Sequence, residues 1–381
     1  TKRGQVGAPV FDFGVETGAL YMPHHMVTNG WIPDPSKCAL SPCSGVGDLL
    51  NTNLVDINRE RCAAGHLITD PTYKCDPELF IHGLTQRYNV AVRGGTDLIR
   101  YSASVSRADQ DGVVNWNWDT RNSVRASIQV TATESLSFTL NGAYVFGERA
   151  PPQSFWGGNF AWGGRLNTVW NDHHDRGFQT PPEVWMRDKR QELFTNKRST
   201  WSLEVQHQAN EWLSHRLVFG LDQVHERFTE LDIRQGTAHH FGRDAREGQK
   251  DVRLYELPVS TMDFSGSATF RFMDGILGSV SSYGIQYYHT EAIHTRATGE
   301  NFAVKALSTV GAAAIESAHE TFTENTTLGL YVQQQFDWDN RIFITTAVRA
   351  DDNSAFGKDF DIATYPKISG TWVLHEEGFW N

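Results

Sequence analysis

LTQRYNVAVRGGTDLIRYSASVSRADQDGVVNWNWDTRNSVRASIQVTATESLSFTLNGAYVFG, residues 84–147, alternates apolar and polar side chains through several runs broken by tight turns. Tyr101, Ala103 and Val105 fall on one side, with Ser102, Ser104 and Ser106 on the other. Val124, Ala126, Ile128 and Val130 alternate with Arg125, Ser127, Gln129 and Thr131, and Leu136, Phe138, Leu140 and Tyr144 follow the same rule against Ser137, Thr139 and Asn141. Successive side chains of a strand point to opposite faces, so each run is a strand with one greasy and one wet side. A soluble sandwich gives the same alternation. Length separates the two: these runs last about ten to fourteen residues, where ordinary strands last about five or six. Strict alternation over about ten residues is the pattern of a membrane-crossing barrel, with lipid outside and water or protein inside.

The pattern repeats along the chain. A first strand ends near Tyr21, and alternation returns around Trp201–Gln206, Leu217–Leu221, Thr261–Phe272, Leu328–Phe336, residues 342–350 and Ile368–Leu374. About twelve strands result. Short connections at Gly94-Gly95, Thr133-Glu134, Asn210, Asp274-Gly275 and Asp339-Asn340 alternate with longer ones, of which 22–82, 149–197, 229–257 and 293–322 are read as long loops. Outer-membrane barrels have short periplasmic turns and long extracellular loops, so the alternation also orients the chain. Trp212, Phe272 and Trp338 flank the short turns, where an interfacial aromatic girdle belongs.

Bulk properties agree with that assignment. The chain has 381 residues, 12% aromatic and 21% charged, with a mean hydropathy of -0.44. No apolar run of about 18 residues occurs, which removes a helical span and leaves a barrel untouched. A net charge of -11 argues against a nucleic-acid partner, which needs a basic face. Cys38, Cys43, Cys62 and Cys75 lie within one loop, and an even number there implies two disulfides in an oxidising compartment, with three pairings open. A zinc site would need a C-x-x-C or a similar pair, and none is present.

Three segments carry a family resemblance. GLTQRYNVAVRGGTDLIRYSASVSRADQDGVV (83–114) is similar to the early barrel of the SusC/RagA-type TonB-linked outer-membrane proteins: a Tyr-containing strand, a Gly-Gly-Thr turn, a Tyr-Ser strand and a Gly-Val rise. TKRGQVG (1–7) resembles the segment that closes that family's plug domain, and LYVQQQFDWDNRIFITTAVRADDNSAFGKDFDIATYPKISGTWVL (330–374) resembles a later pair of barrel hairpins. The resemblance implies an all-β fold: an antiparallel transmembrane barrel of outer-membrane type, partial and open, holding about twelve of roughly 22 strands. Residues 1–7 would end the plug and 8–381 would form the first half of the barrel, so the export signal, plug and TonB-contacting box would lie upstream of Thr1. The implied function is TonB-dependent import of bulky glycans or peptides across the bacterial outer membrane. Outer-membrane lipid, a SusD-like surface lipoprotein and TonB would be the partners. A passive porin and a barrel hydrolase are the rivals; a plug-closing segment counts against the first.

Phe155, Trp156, Phe160, Trp162 and Trp170 sit among glycines in SFWGGNFAWGGRLNTVW (154–170), where aromatic faces can stack on a ligand or pack the loop on itself. Asp172, His173, His174 and Asp175, and His239 with His240, are adjacent residues on extended chain that point apart, so they read as solvated loop. Asp351, Asp352, Asn353, Asp359 and Asp361 suggest calcium, but Gly357 is misplaced for an EF-hand loop. No G-x-S-x-G, H-E-x-x-H or P-loop occurs, so neither catalytic residue nor cofactor is assigned. Arg125, Gln129, Glu204, Arg216, Asp222, Asp263 and Arg271 are placed inward, lining a lumen or meeting a plug.

Overall fold

Long alternating runs cannot satisfy their backbone groups alone, and here each run finds its partner in the next. The computed structural model describes residues 4–23, 30–33, 49–52, 59, 63, 80–114, 116–151, 190–234, 247–356 and 362–379. In chain order the strands are β1 (Gly7–Leu20), β2 (Gly30–Pro33), β3 (Leu49–Thr52), β4 (Gly83–Gly95) and β5 (Ile99–Asp111). Then come β6 (Trp118–Thr133), β7 (Leu136–Ala150), β8 (Arg190–Asn210), β9 (Leu213–Asp232) and β10 (Gln249–Phe272). Finally there are β11 (Leu277–Phe302), β12 (Ala313–Trp338), β13 (Ile342–Asn353) and β14 (Ala363–Trp372). Twelve of them form one sheet in the order β1-β4-β5-β6-β7-β8-β9-β10-β11-β12-β13-β14, and among the described residues β2 pairs with β3 alone. Every pairing is antiparallel with the next strand of the sheet. The sheet is open, with β1 and β14 as its edges.

Register sorts the side chains by row. One row runs Phe13, Val90, Val105, Val124, Tyr144 across five strands. The row on the other face runs Asp12, Ala91, Ser104, Arg125, Ala143, Thr200, Asp222. The apolar face is bare. Phe13 is 76% exposed, Val332 63% and Ile368 78%. Among the described residues neither a second sheet nor a helix packs on it. Among the described residues the buried hydrophobics are Val114, Trp116, Leu231 and Phe302, far too few for a water-soluble core of this sheet. That excludes a sandwich, whose apolar faces would close on each other. No described helix is long and apolar enough to cross a membrane.

The polar face is the concave one. A cavity of about 630 Å³ gathers Arg100 of β5, Gln129 of β6, Gln206 of β8, Arg216 of β9, Ser265 of β10, Ser282 of β11 and Tyr331 of β12. Aromatics gather at the short-turn end, where Trp212 stacks on Phe270 at 5.0 Å and Phe270 lies 6.3 Å from Phe272. Two of those turns are tight hairpins with both central residues at positive φ: Met273 and Asp274 at 54°, Asp339 at 50° and Asn340 at 55°. In the first, overlapping turns closed by Gly275 N–H to the Phe272 carbonyl and Ile276 N–H to the Met273 carbonyl put Asp274-Gly275 at the middle of the connection, as expected, with Gly275 also at positive φ (94°).

Strand lengths depart from the sequence reading. The segment 22–82 is not wholly irregular, since β2 and β3 form a short hairpin within it. The loop expected at 149–197 ends where β8 begins at Arg190. The loop at 229–257 shrinks to the gap between Asp232 and Gln249, and that at 293–322 to the gap between Phe302 and Ala313. The cause is physical. About ten residues cross the bilayer, and β8 to β12 run for 20 to 26. Beyond the bilayer both faces meet water, so apolar/polar alternation vanishes while hydrogen bonding continues, as in AAIESAHETFTEN at the start of β12.

Candidate functional site

The inner wall is built of paired polar side chains. Ser127 donates to Asn141, and Asn141 to Ser202, bridging β6, β7 and β8 at 2.8 and 3.1 Å. Arg216 meets Glu204 at 2.9 Å, and Arg198 meets Asp222 at 2.6 Å while the Thr200 hydroxyl donates to the same carboxylate at 2.8 Å. Further round, Gln286 donates to Asp263 at 2.6 Å and Arg349 donates to Gln286 at 2.5 Å. Arg271 reaches Asp337 at 3.4 Å. Gly278 makes room for that carboxylate, because a Cβ there would overlap it. All seven residues expected to point inward therefore do, with Arg125 and Gln129 lining cavities of the concave face.

Nearer the long-loop end the wall changes character. The register sets Asp119, Arg149, Phe194, Phe228, Arg253, Arg296 and His319 in one inward row across seven strands, β6 to β12. The Arg149 guanidinium lies 4.7 Å from the centroid of the Phe194 ring, Phe194 packs on Phe228 at 4.4 Å, and Arg253 lies 5.2 Å from the Phe228 ring. Cations over aromatic faces are attracted by the ring quadrupole. Asp251, only 4% exposed, accepts from Arg253 at 2.7 Å and from Arg296 at 2.8 Å. Asp251 lies more than twenty residues above the turn that ends β10, well beyond what crosses the bilayer. Burial pushes its carboxyl up, but hydrogen bonds from Arg253 and Arg296 outweigh this and hold it below the usual carboxylate value. Its acceptance in turn raises Arg253. One row nearer the short turns, Tyr255 and His294 stack 4.2 Å apart and 9° from parallel. Beside the row is a cavity of about 650 Å³ lined by Arg121, Arg125, Arg149, Arg198, Phe194 and Glu226. Such a wall can hold polar and charged ligands. Among the described residues no group of three or more His, Cys, Asp or Glu stands ready to hold a metal ion.

Other candidates fall elsewhere. Phe155, Trp156, Phe160, Trp162 and Trp170 lie outside the described residues, as do Asp172 to Asp175, His239, His240 and the four cysteines. Asp351 is taken by Arg349 at 2.8 Å, and Asp352, its neighbour on β13, points to the opposite face. Arg149, Phe194, Arg253 and Arg296 escaped the sequence reading because they stand where loops were expected, and Phe228 because it directly borders one of those loops. Phase was the available signal: Phe194 continues the polar phase of Asn196, Arg198 and Thr200, and Phe228 that of Asp222 and Glu226. A large apolar residue in the wet phase of a strand marks a surface with other business than the core.

Residues 147–378 match the family described as TonB dependent receptor-like, beta-barrel. No curated protein matches the chain by sequence. Among solved structures it is similar to the RagAB peptide importer in its closed-closed state, with a TM-score of 0.72 at 15% identity, and in its open-open state, with 0.73 at 13%. A further structure of the RagAB peptide transporter superposes with a TM-score of 0.72 at 13% identity. Each alignment covers 100% of this chain and 46% of the other, so the chain spans about half the length of the proteins it resembles. At such identities the likeness speaks for the fold, and the family rests on the sequence match over most of the chain. By that match, and by a sheet greasy on its convex face and wet on its concave one, the chain belongs to the TonB-dependent receptor-like β-barrel family.

Proposed function

We propose that the chain forms part of the wall of a TonB-dependent importer that carries bulky oligomers, peptides in particular, across the bacterial outer membrane. The carrying observation is the twelve-stranded sheet whose apolar face is bare while its concave face presents paired charges and an arginine–phenylalanine row. A passive pore needs only a wet lining; a row of guanidiniums held against rings is a place to bind. In this reading the short turns face the periplasm and the long-loop end faces outward. The parts of β8 to β12 beyond the bilayer then form a vestibule wall, against which a SusD-like lipoprotein would close over cargo. Energy would come through TonB acting on a plug. The similarity to a peptide importer supports peptides as cargo, and the row adds to that support. No bond chemistry is expected of the barrel wall.

The test is uptake in the source bacterium. Labelled oligopeptides should accumulate in cells carrying the intact gene, and accumulation should fall to background on deleting the gene or on collapsing the proton-motive force. Unchanged accumulation after deletion would remove the importer reading. Accumulation that needs the gene but survives loss of TonB would leave a passive channel instead.

A further inference from the structure

The rings of the inward row are not open platforms. Phe194 is flanked by Arg149 on one side and Phe228 on the other, and Phe228 by Phe194 and Arg253. Tyr255 is covered by His294. A sugar that stacks on an aromatic ring lays its C–H face on an open ring face, and Phe194 and Phe228 each have neighbours on both sides while Tyr255 has one face taken by His294. What remains available is guanidinium. Arg149 and Arg296 are exposed to the lumen, Arg253 is half-buried, and the guanidinium edge offers N–H donors in a fork that suits carboxylates.

Charge and spacing sharpen the choice. Asp251 bridges both Arg253 and Arg296, while Arg149, whose register partner on β6 is Asp119, forms no ion pair with a described carboxylate. Glu226 is held by Asn196 at 2.7 Å, and Glu192 and Glu230 carry interactions of their own. Arg149 on β7 and Arg253 on β10 stand three strands apart, about 14 Å at the usual strand spacing. Side chains four residues apart on an extended peptide are also separated by about 14 Å. We infer that the Arg149–Phe194–Phe228–Arg253 row, with Arg296, is a carboxylate-reading subsite that selects acidic peptides among the oligomers the importer admits. The phenylalanines hold the guanidiniums upright; the arginines read the charge. This inference rests on the importer reading and deepens it.

The experiment uses the full-length transporter with its partner, purified in detergent. Calorimetry measures four probes: an extended decapeptide with Glu at positions three and seven, the same peptide with Gln there, a trigalacturonate and a neutral oligosaccharide of equal length. The Glu peptide should bind about tenfold tighter than its Gln twin, the difference expected of one charge-assisted hydrogen bond. In Arg149→Gln that ratio should collapse towards one, while Arg149→Lys keeps part of it. Arg296→Gln provides an independent second variant should Arg149→Gln fail to fold. Equal binding of the Glu and Gln peptides by the wild type would overturn the inference. So would a ratio unchanged in both Gln variants, or tighter binding of trigalacturonate or the neutral sugar than of the Glu peptide. Uptake that needs TonB yet ignores the Glu-to-Gln change removes this subsite and leaves the importer standing. Loss of uptake control by the gene removes the importer itself.

Discussion

A single residue on β12 tests which face meets hydrocarbon. Val332 lies on the apolar face between Tyr283 of β11 and Val348 of β13, and it is 63% exposed. It stands six residues from Trp338, whose ring marks the short-turn girdle, which is about 20 Å along the strand. With a strand tilt of about 40°, that places it about 15 Å above the girdle, near the middle of an apolar band about 25 Å tall. Val332→Arg should therefore destabilise the folded barrel by about 2–4 kcal/mol, the cost of an arginine near the bilayer midplane. Its sequence neighbour Gln333 faces the lumen opposite Ser282, and Gln333→Arg should change stability by less than about 0.5 kcal/mol. The measurement is urea unfolding of the full-length protein from phospholipid vesicles, wild type against each variant. Equal and small effects at the two positions would mean that the Val332 face is wet, and the membrane assignment would fail with it.

A Cβ at Gly266 would collide with the Tyr283 ring, whose hydroxyl shares a 3.0 Å hydrogen bond with His215 Nε2; Gly266→Ala should cost about 1–3 kcal/mol by overpacking, read in the same unfolding assay. Asp251 has a folded pKa below the ordinary 3.8, so its ion pairs contribute fully above that value and are lost as pH falls through the lower folded pKa. Amide protection over 249–256, measured relative to the intrinsic exchange rate at each pH, should thus be high at neutral pH and fall on acidification through the lowered pKa of Asp251, and Asp251→Asn should show the lower protection at every pH. Cys38, Cys43, Cys62 and Cys75 are proposed to form two disulfides; peptide mapping without reduction should recover linked pairs, and four free thiols in the exported protein would contradict the proposal.

The membrane-crossing part of the fold was legible because the bilayer writes itself into the chain. Tyr101-Ser102-Ala103-Ser104-Val105-Ser106 reads as a strand with one greasy and one wet side, and the register places Val105 between Val90 and Val124 on the apolar row. The inward set was legible for the same reason, since polar residues in the second phase had one place to go. Legibility stopped where the solvent became the same on both sides. From Ala313 to Asn325, Glu316, Glu320 and Glu324 share one face with Phe322 while His319 and Thr321 take the other, and no binary pattern survives to announce a strand. What extends β12 there is its pairing with β11, a long-range fact that no local window contains. The row from Arg149 to Arg296 was hidden by the same limit, for it exists only once five strands are laid side by side.

That limit says where recognition sits in such a wall. Crossing the bilayer takes about ten residues, so roughly half of β10 and β11 is not needed for insertion. Side chains on strands are held more firmly than side chains on loops, because each backbone position is fixed by bonds on two sides. Phe194, Phe228 and Arg253 are placed this way on β8, β9 and β10, each paired on both flanks. The same hydrogen bonding sets a requirement at the margins of the sheet. Phe11, Phe13 and Val15 on β1, and Ile368 and Trp372 on β14, stand in the apolar face beside backbone that has no strand on its far side. Unpaired backbone in hydrocarbon costs several kcal/mol per group, so neither edge can face lipid bare. A barrel wall built on this sheet therefore has its β1 and β14 edges paired, and the row from Arg149 to Arg296 forms one arc of that wall.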